Sequence, residues 1–136
     1  MGRMQIAYKG NQQCVATRVK DAKRVVVDCP MTSGQELGPG DMVAAGLGSC
    51  MLISMAGFAE RHGLNVEGSN VEVDVKFGGE PQSRISAINV VVHVPKEFSE
   101  QDRARLRNAA NACPIKHSFG QDTEISTAFE FGGELT

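Results

Sequence analysis

Residues 41–61 read DMVAAGLGSCMLISMAGFAER. The stretch holds no proline and no charge between Asp41 and Glu60, and its Met, Leu and Ala favour helix. At 1.5 Å per residue it predicts a helix about 30 Å long. Apolar residues lie all round it instead of on a single stripe, so a core helix surrounded by protein is expected. Gly46, Gly48 and Gly57 each cost about 1 kcal/mol relative to Ala in a helix, which points to close approach of another backbone. Interruption by Gly and Ser, with charge flanking it early, argues against a membrane span. Asp41, following ELGPG, is expected as the N-cap. Arg61 and His62 suit the negative end of the helix dipole, and Gly63 suits a left-handed terminus.

Strand signals lie on both sides. Residues 4–8 and 12–19 alternate loosely about a turn at Lys9, Gly10 and Asn11, and 24–28 contain Val25, Val26 and Val27. These predict a hairpin plus a third strand. Downstream, 70–77 (NVEVDVKF) and 84–94 (RISAINVVVHV) alternate about the turn GGEPQS and are expected to pair. Ser99 opens a second helix, SEQDRARLRNAANA, with Asp102 near a capping-box position and a thin apolar face of Ala104, Leu106, Ala109 and Ala110. Residues 123–131 read as a last strand. The order ββ(β)αββαβ is an α+β pattern, and without repeats or a compositional break it is expected to form one domain over 1–136.

Composition excludes several classes. The chain has 136 residues, 14 Lys plus Arg against 16 Asp plus Glu, and a formal charge of -2. At this length one core is sustainable without disulfides or a structural metal. No basic cluster is available for a phosphate backbone, so no nucleic-acid partner is expected, and no membrane partner either. The amino terminus MGRMQIAYKG shows no secretory pattern, so a cytoplasmic protein with reduced thiols is expected. GLGSCM lacks the third glycine of a dinucleotide fingerprint, and G-x-S-x-G is absent.

Four cysteines remain. Cys14 and Cys29 fall in the strand region and read as ordinary thiols. His62 reads as a helix-end residue and His93 as an alternating strand residue, neither with a catalytic role. Cys50 lies nine positions beyond Asp41, roughly 14 Å from the helix start, where the dipole no longer stabilises a thiolate. It is either an inert core thiol or a nucleophile activated from another segment. Cys113, in NACPIKHSF, precedes Pro114, which ends the preceding helix and favours a new turn. An N-cap-like Cys113 near free backbone N–H groups, with Lys116 and His117 close by, is in a setting that lowers a thiol pKa. The alternative is a capping or packing residue. Cys113 and His117 also have the i, i+4 spacing of two metal ligands, but no second pair accompanies them and no metal is expected.

With those motifs placed, the sequence resembles the OsmC and organic hydroperoxide resistance (Ohr) family of thiol peroxidases. The resemblance is carried by PGDMVAAGLGSCMLISM, by HGLNVEG, by VEVDVKF through VVHVP, and by NACPIKHSF, with Cys50 and Cys113 separated by 63 positions (113 minus 50). It implies an intertwined homodimer in which two β-sheets wrap two central helices, with active sites at the subunit interface. It implies catalytic roles for Cys50 as the peroxidatic thiol and Cys113 as the resolving one, an organic hydroperoxide as substrate, an external dithiol as reductant, no cofactor, and an antioxidant role in the oxidative stress response. The apolar setting of Cys50 raises its pKa, so a nearby cation is expected to offset the desolvation. The best-characterised branches pair an N-terminal Arg with a Glu ten residues before the first Cys. Position 40 here is Gly, Asp41 stands one residue later, and Arg18 and Arg24 are the available cations.

Two other classes compete. One is a non-catalytic OsmC-like protein that binds an apolar small molecule between its helices. The other is a hydrolase using Cys50 or Cys113 with His117, for which no residue to orient the imidazole is identifiable.

Overall fold

The computed structural model describes residues 2–135, which pack as two compact units, one up to Val43 and one from Ala44. In the first unit, β1 (Met4–Gly10), β2 (Gln13–Arg18) and β3 (Arg24–Asp28) form an antiparallel sheet in the order β1-β2-β3. This is the expected hairpin plus third strand. The tight turn lies one residue later than expected, at Asn11 and Gln12, whose φ angles of 53° and 58° match the strand twist as a two-residue turn of the primed type. Asp28, at the end of β3, is buried and accepts from the Ser33 hydroxyl and the Gln35 N–H (3.2 Å), which orders the loop that follows. Cys14 sits half-buried on β2. Cys29 is not on a strand: it stands one residue past β3, and its carbonyl accepts from the N–H groups of Thr32, Ser33 and Gly34.

The helix α1 (Pro39–Arg61) begins two residues before Asp41, because Pro39 suits the first helical position. Asp41 is therefore not the N-cap. Its Oδ2 instead accepts from the N–H of Gly38 at 2.8 Å, reaching back from the third helical position as in a capping box. At the other end, Leu64 N–H bonds Ala59 O (2.9 Å) and Gly63 N–H bonds Glu60 O (3.4 Å), with Gly63 at φ +68°. That is a Schellman terminus. His62 has the expected helix-end role, stacked on Phe58 at 4.1 Å with its Nδ1 2.9 Å from the Phe58 carbonyl.

The second unit carries the core. Strands β4 (Asn70–Gly78), β5 (Arg84–Val94), β6 (Glu124–Phe131) and the short β7 (Glu134–Leu135) form a sheet in sequence order. β4 and β5 are the expected antiparallel hairpin, whereas β5 and β6 run parallel. Parallel neighbours need a crossover, and here it contains α2 (Glu100–Asn111) and α3 (Pro114–His117). Ser99 caps α2, its Oγ accepting from Asp102 N–H at 3.2 Å. One sheet face presents Ile88, Val90, Val92, Val94, Phe129 and Phe131, which share a buried cluster with Leu47, Met51, Met55 and Ala59 of α1 and Leu106 and Ala110 of α2.

Only one stripe of α1 is thus buried by its own chain, and Ile53 is 71% exposed. By length and composition alone the helix could cross a membrane. Of the three glycines, Gly48 alone marks a close approach from outside the helix, and to side chains instead of backbone. A Cβ there would meet Val71 Cγ1 at 2.9 Å and Val73 Cγ2 at 3.1 Å, while one at Gly46 would meet open space and one at Gly57 only Arg61 of the same helix.

On the opposite sheet face, His93 joins three strands. Its Nε2 lies 2.7 Å from Glu72 Oε1 on β4 and its Nδ1 3.5 Å from Glu130 Oε1 on β6. Burial pushes the imidazole down, but the two carboxylates outweigh it and hold His93 above the usual histidine range. The folded state binds this proton more tightly than the unfolded chain. The stabilisation is complete below the unfolded value of about 6.5 and is lost as pH rises through the higher folded value. Since all three groups are partly solvated, it amounts to about 1 kcal/mol at most. His93→Gln should lower the urea midpoint at about pH 6 and leave it unchanged at about pH 9. Equal losses at both would assign the effect to packing.

Candidate active site

The two cysteines singled out in the sequence come together in the second unit. Cys50 immediately precedes Met51 of the buried stripe of α1, so it is half-buried and packs on the rim of the core. Cys113 is fully buried at the junction of α2 and α3. Pro114 at the first position of α3 leaves Cys113 extended (φ -61°, ψ 123°) as the N-cap, where its Sγ accepts from Lys116 N–H at 3.4 Å. This is the capping geometry read from the proline.

The turn is pinned by Asn111, which the sequence reading does not single out. Its Oδ1 accepts from Lys116 Nζ at 2.9 Å, and its carbonyl lies 2.9 Å from His117 Nε2. Lys116 and His117 therefore anchor the turn, and their charges are not what the sulfurs bond. Among the described residues no group of three His, Cys, Asp or Glu is arranged to hold a metal.

Both residues are free thiols that share one core cluster, and each shifts the titration of the other. Burial pushes Cys50 up, but donation from Cys113, from the Ile115 backbone N–H and from Ser54 outweighs it and leaves the thiol below the ordinary cysteine value. Cys113 moves the opposite way. Burial first, and then its hydrogen bond to Cys50, hold it above the ordinary value despite the pull of Lys116 and Ile115 N–H groups. The expectation of a lowered Cys113 thus fails, because donating a proton to a neighbouring thiolate and being buried together exceed the backbone donors. When the pair carries one proton, that proton sits on Cys113 and the charge on Cys50.

Within its own unit, the groups that lower Cys50 are neutral donors. Arg18 is engaged within its own unit, where Nε and Nη2 pair with the two carboxylate oxygens of Asp21 at 2.9 and 2.5 Å. Arg24 opens β3 and is exposed. Cys29 has hydrogen bonds from Thr32 and the Met31 backbone that hold its thiol below the ordinary value, so it is less ordinary than its reading as a strand thiol. Ser54 is legible in the sequence, since it stands four positions from Cys50 on a predicted helix. The Ile115 N–H is not, because it reaches Cys50 across the fold.

The fold and the sulfur pair define a class of small α+β proteins in which two distant segments bring two thiols together. A sequence model of the family described as OsmC-like protein matches residues 32–128, and the chain belongs to that family. Solved structures share its fold. A Psychrobacter arcticus 273-4 protein named for an osmotic stress induced and detoxification response superposes with TM-score 0.87 at 22% identity over 96% of each chain. An OsmC like protein from Mycoplasma pneumoniae does so at 0.84 and 14% identity over 96% of each. The organic hydroperoxide resistance protein OhrB of Bacillus subtilis does so at 0.74 and 16% identity, covering 96% of this chain and 98% of that one. No curated protein sequence matches the chain.

Proposed function

We propose that this protein is a cytoplasmic thiol-dependent peroxidase that reduces organic hydroperoxides, with Cys50 as nucleophile, Cys113 as resolving thiol and an external dithiol as reductant. The carrying observation is that Cys50 and Cys113 come from distant segments into one core cluster and are displaced in opposite directions, Cys50 toward thiolate and Cys113 toward thiol. The Cys50 thiolate attacks the terminal peroxide oxygen, the O–O bond breaks, and the alkoxide leaves as alcohol after taking a proton. The resulting Cys50 sulfenic acid meets the Cys113 thiol, an S–S bond forms, and the hydroxyl leaves with the Cys113 proton as water. A dithiol then supplies two electrons and two protons and restores both thiols.

Membership of the OsmC-like family and fold likeness to a protein called organic hydroperoxide resistance protein support the substrate class. Four free cysteines suit a reducing compartment. A homodimer is supported by apolar side chains that a single chain leaves exposed, including Ile53 on α1 and Ile6 and Tyr8 on β1.

One equivalent of an alkyl hydroperoxide should produce a Cys50 to Cys113 disulfide by peptide mass mapping, reversed by a dithiol. A second reading, a non-catalytic protein holding an apolar small molecule, is favoured by a groove of about 250 Å³ between α1 and β4, lined by Ala44, Ala45, Gly48, Leu52, Val71 and Val73. Both thiols staying reduced under excess hydroperoxide would sink the peroxidase reading in favour of this one.

A further inference from the structure

We propose that Asn111 is a positioning residue for Cys113: its side chain clasps Lys116 across the junction of α2 and α3 and presents the Cys113 sulfur for capture of the Cys50 sulfenic acid before a second peroxide arrives. This deepens the peroxidase reading and rests on it. Asn111 is the last residue of α2, Cys113 is the N-cap of α3, and α3 spans only Pro114–His117. One turn of helix fixes several dihedrals for about one hydrogen bond, so a helix this short does not hold itself. Its anchors lie on both sides of the cysteine. Lys116 Nζ donates to Asn111 Oδ1 at 2.9 Å, and His117 Nε2 lies 2.9 Å from the Asn111 carbonyl. Ser118 Oγ donates to the Pro114 carbonyl at 2.9 Å.

The same lysine is tied to the sulfur. Its backbone N–H donates to Cys113 Sγ at 3.4 Å, and the next N–H, of His117, donates to the Cys113 carbonyl at 3.2 Å. The Asn111 to Lys116 bond therefore closes a ring around Cys113, from the end of α2 through the side chain and main chain of Lys116 back to the sulfur. Cys113 is fully buried and both clasp residues are half-buried, so this charge-assisted bond is partly shielded from water. Resolution is a unimolecular step competing with a bimolecular one. The Cys113 sulfur attacks the Cys50 sulfur, the S–S bond forms, the S–O bond breaks, and the hydroxyl leaves with the Cys113 proton as water. A second hydroperoxide would instead put another oxygen on Cys50. A fixed turn raises the effective concentration of Cys113 and favours the disulfide. Once formed, the disulfide holds the turn covalently, so the clasp matters in the dithiol and sulfenic states.

The test compares wild type with Asn111→Ala, Lys116→Met, the double variant and Asn111→Asp. Peptide mass mapping after graded alkyl hydroperoxide gives the concentration at which half of Cys50 is sulfinic acid instead of disulfide. That concentration should fall about tenfold in each single variant. The double variant should fall no further, because both substitutions remove one contact. Asn111→Asp keeps the Oδ1 acceptor and should follow wild type. Equilibration with reduced and oxidised glutathione, with no peroxide present, should shift the Cys50 and Cys113 pair toward the dithiol by a similar factor in Asn111→Ala and Lys116→Met. Single variants that match wild type, losses that add in the double variant, or an Asn111→Asp as impaired as Asn111→Ala each overturn the proposal. A wild type that consumes no hydroperoxide, with the coupled loss still present in the glutathione equilibrium, refutes the peroxidase reading and leaves the clasp standing.

Discussion

Cys50→Ser should bring hydroperoxide consumption down to the buffer background, the largest functional change expected of any single substitution here. A serine hydroxyl stays protonated at neutral pH in this site, and the donors that favour a thiolate cannot make it a nucleophile toward peroxide oxygen. The exchange is nearly isosteric at a half-buried position, so the thermal transition should stay close to that of wild type. Cys113→Ser behaves differently. It keeps a donor beside Cys50, so the first equivalent of peroxide is consumed, but no disulfide can form. Catalytic cycling through a disulfide then stops, and under excess peroxide a second equivalent carries Cys50 on to the sulfinic acid. Mass spectrometry separates the outcomes: no oxygen on residue 50 in the first variant, and added oxygen on Cys50 in the second. Multiple turnover by Cys50→Ser would place the chemistry elsewhere, with Cys29 the next thiol to examine.

Phe131→Ala should be the most damaging change to stability. The ring is fully buried at the end of β6, edge-on to Phe98 at 6.3 Å and 83°, and parallel to Phe129 at 6.3 Å. The Arg103 guanidinium of α2 lies 5.5 Å from its centroid. Truncation removes the buried ring and leaves a cavity between the sheet and α2, a loss of about 3–5 kcal/mol. Phe131→Leu should cost less, because it refills much of the volume. Urea denaturation followed by circular dichroism gives both numbers, and a loss under about 1 kcal/mol for the alanine variant would mean that the ring does not anchor the core.

The local elements were legible because their signals are local. The alternation NVEVDVKF gives a strand with one apolar face whatever lies beside it, and Pro114 forces an extended Cys113 and a new turn at once. The start of α1 was misplaced by two residues, since Asp41 suits both the N-cap and the third helical position, and only the Gly38 hydrogen bond separates them. The buried face of α1 was not legible. Its apolar residues surround the axis, so periodicity carries no direction, and the sheet selects the stripe Leu47, Met51, Met55 and Ala59.

What the amino-acid sequence by itself determined, then, is the set of elements, the α+β order, and the two segments that carry Cys50 and Cys113. Tertiary structure decided the parallel pairing of β5 with β6, which brings the α2 to α3 junction and its sulfur to the helix 63 positions earlier (113 minus 50). It also decided which thiol keeps the proton. That choice depends on desolvation and on donors from across the fold, and neither quantity exists until separate segments exclude water from the same small volume.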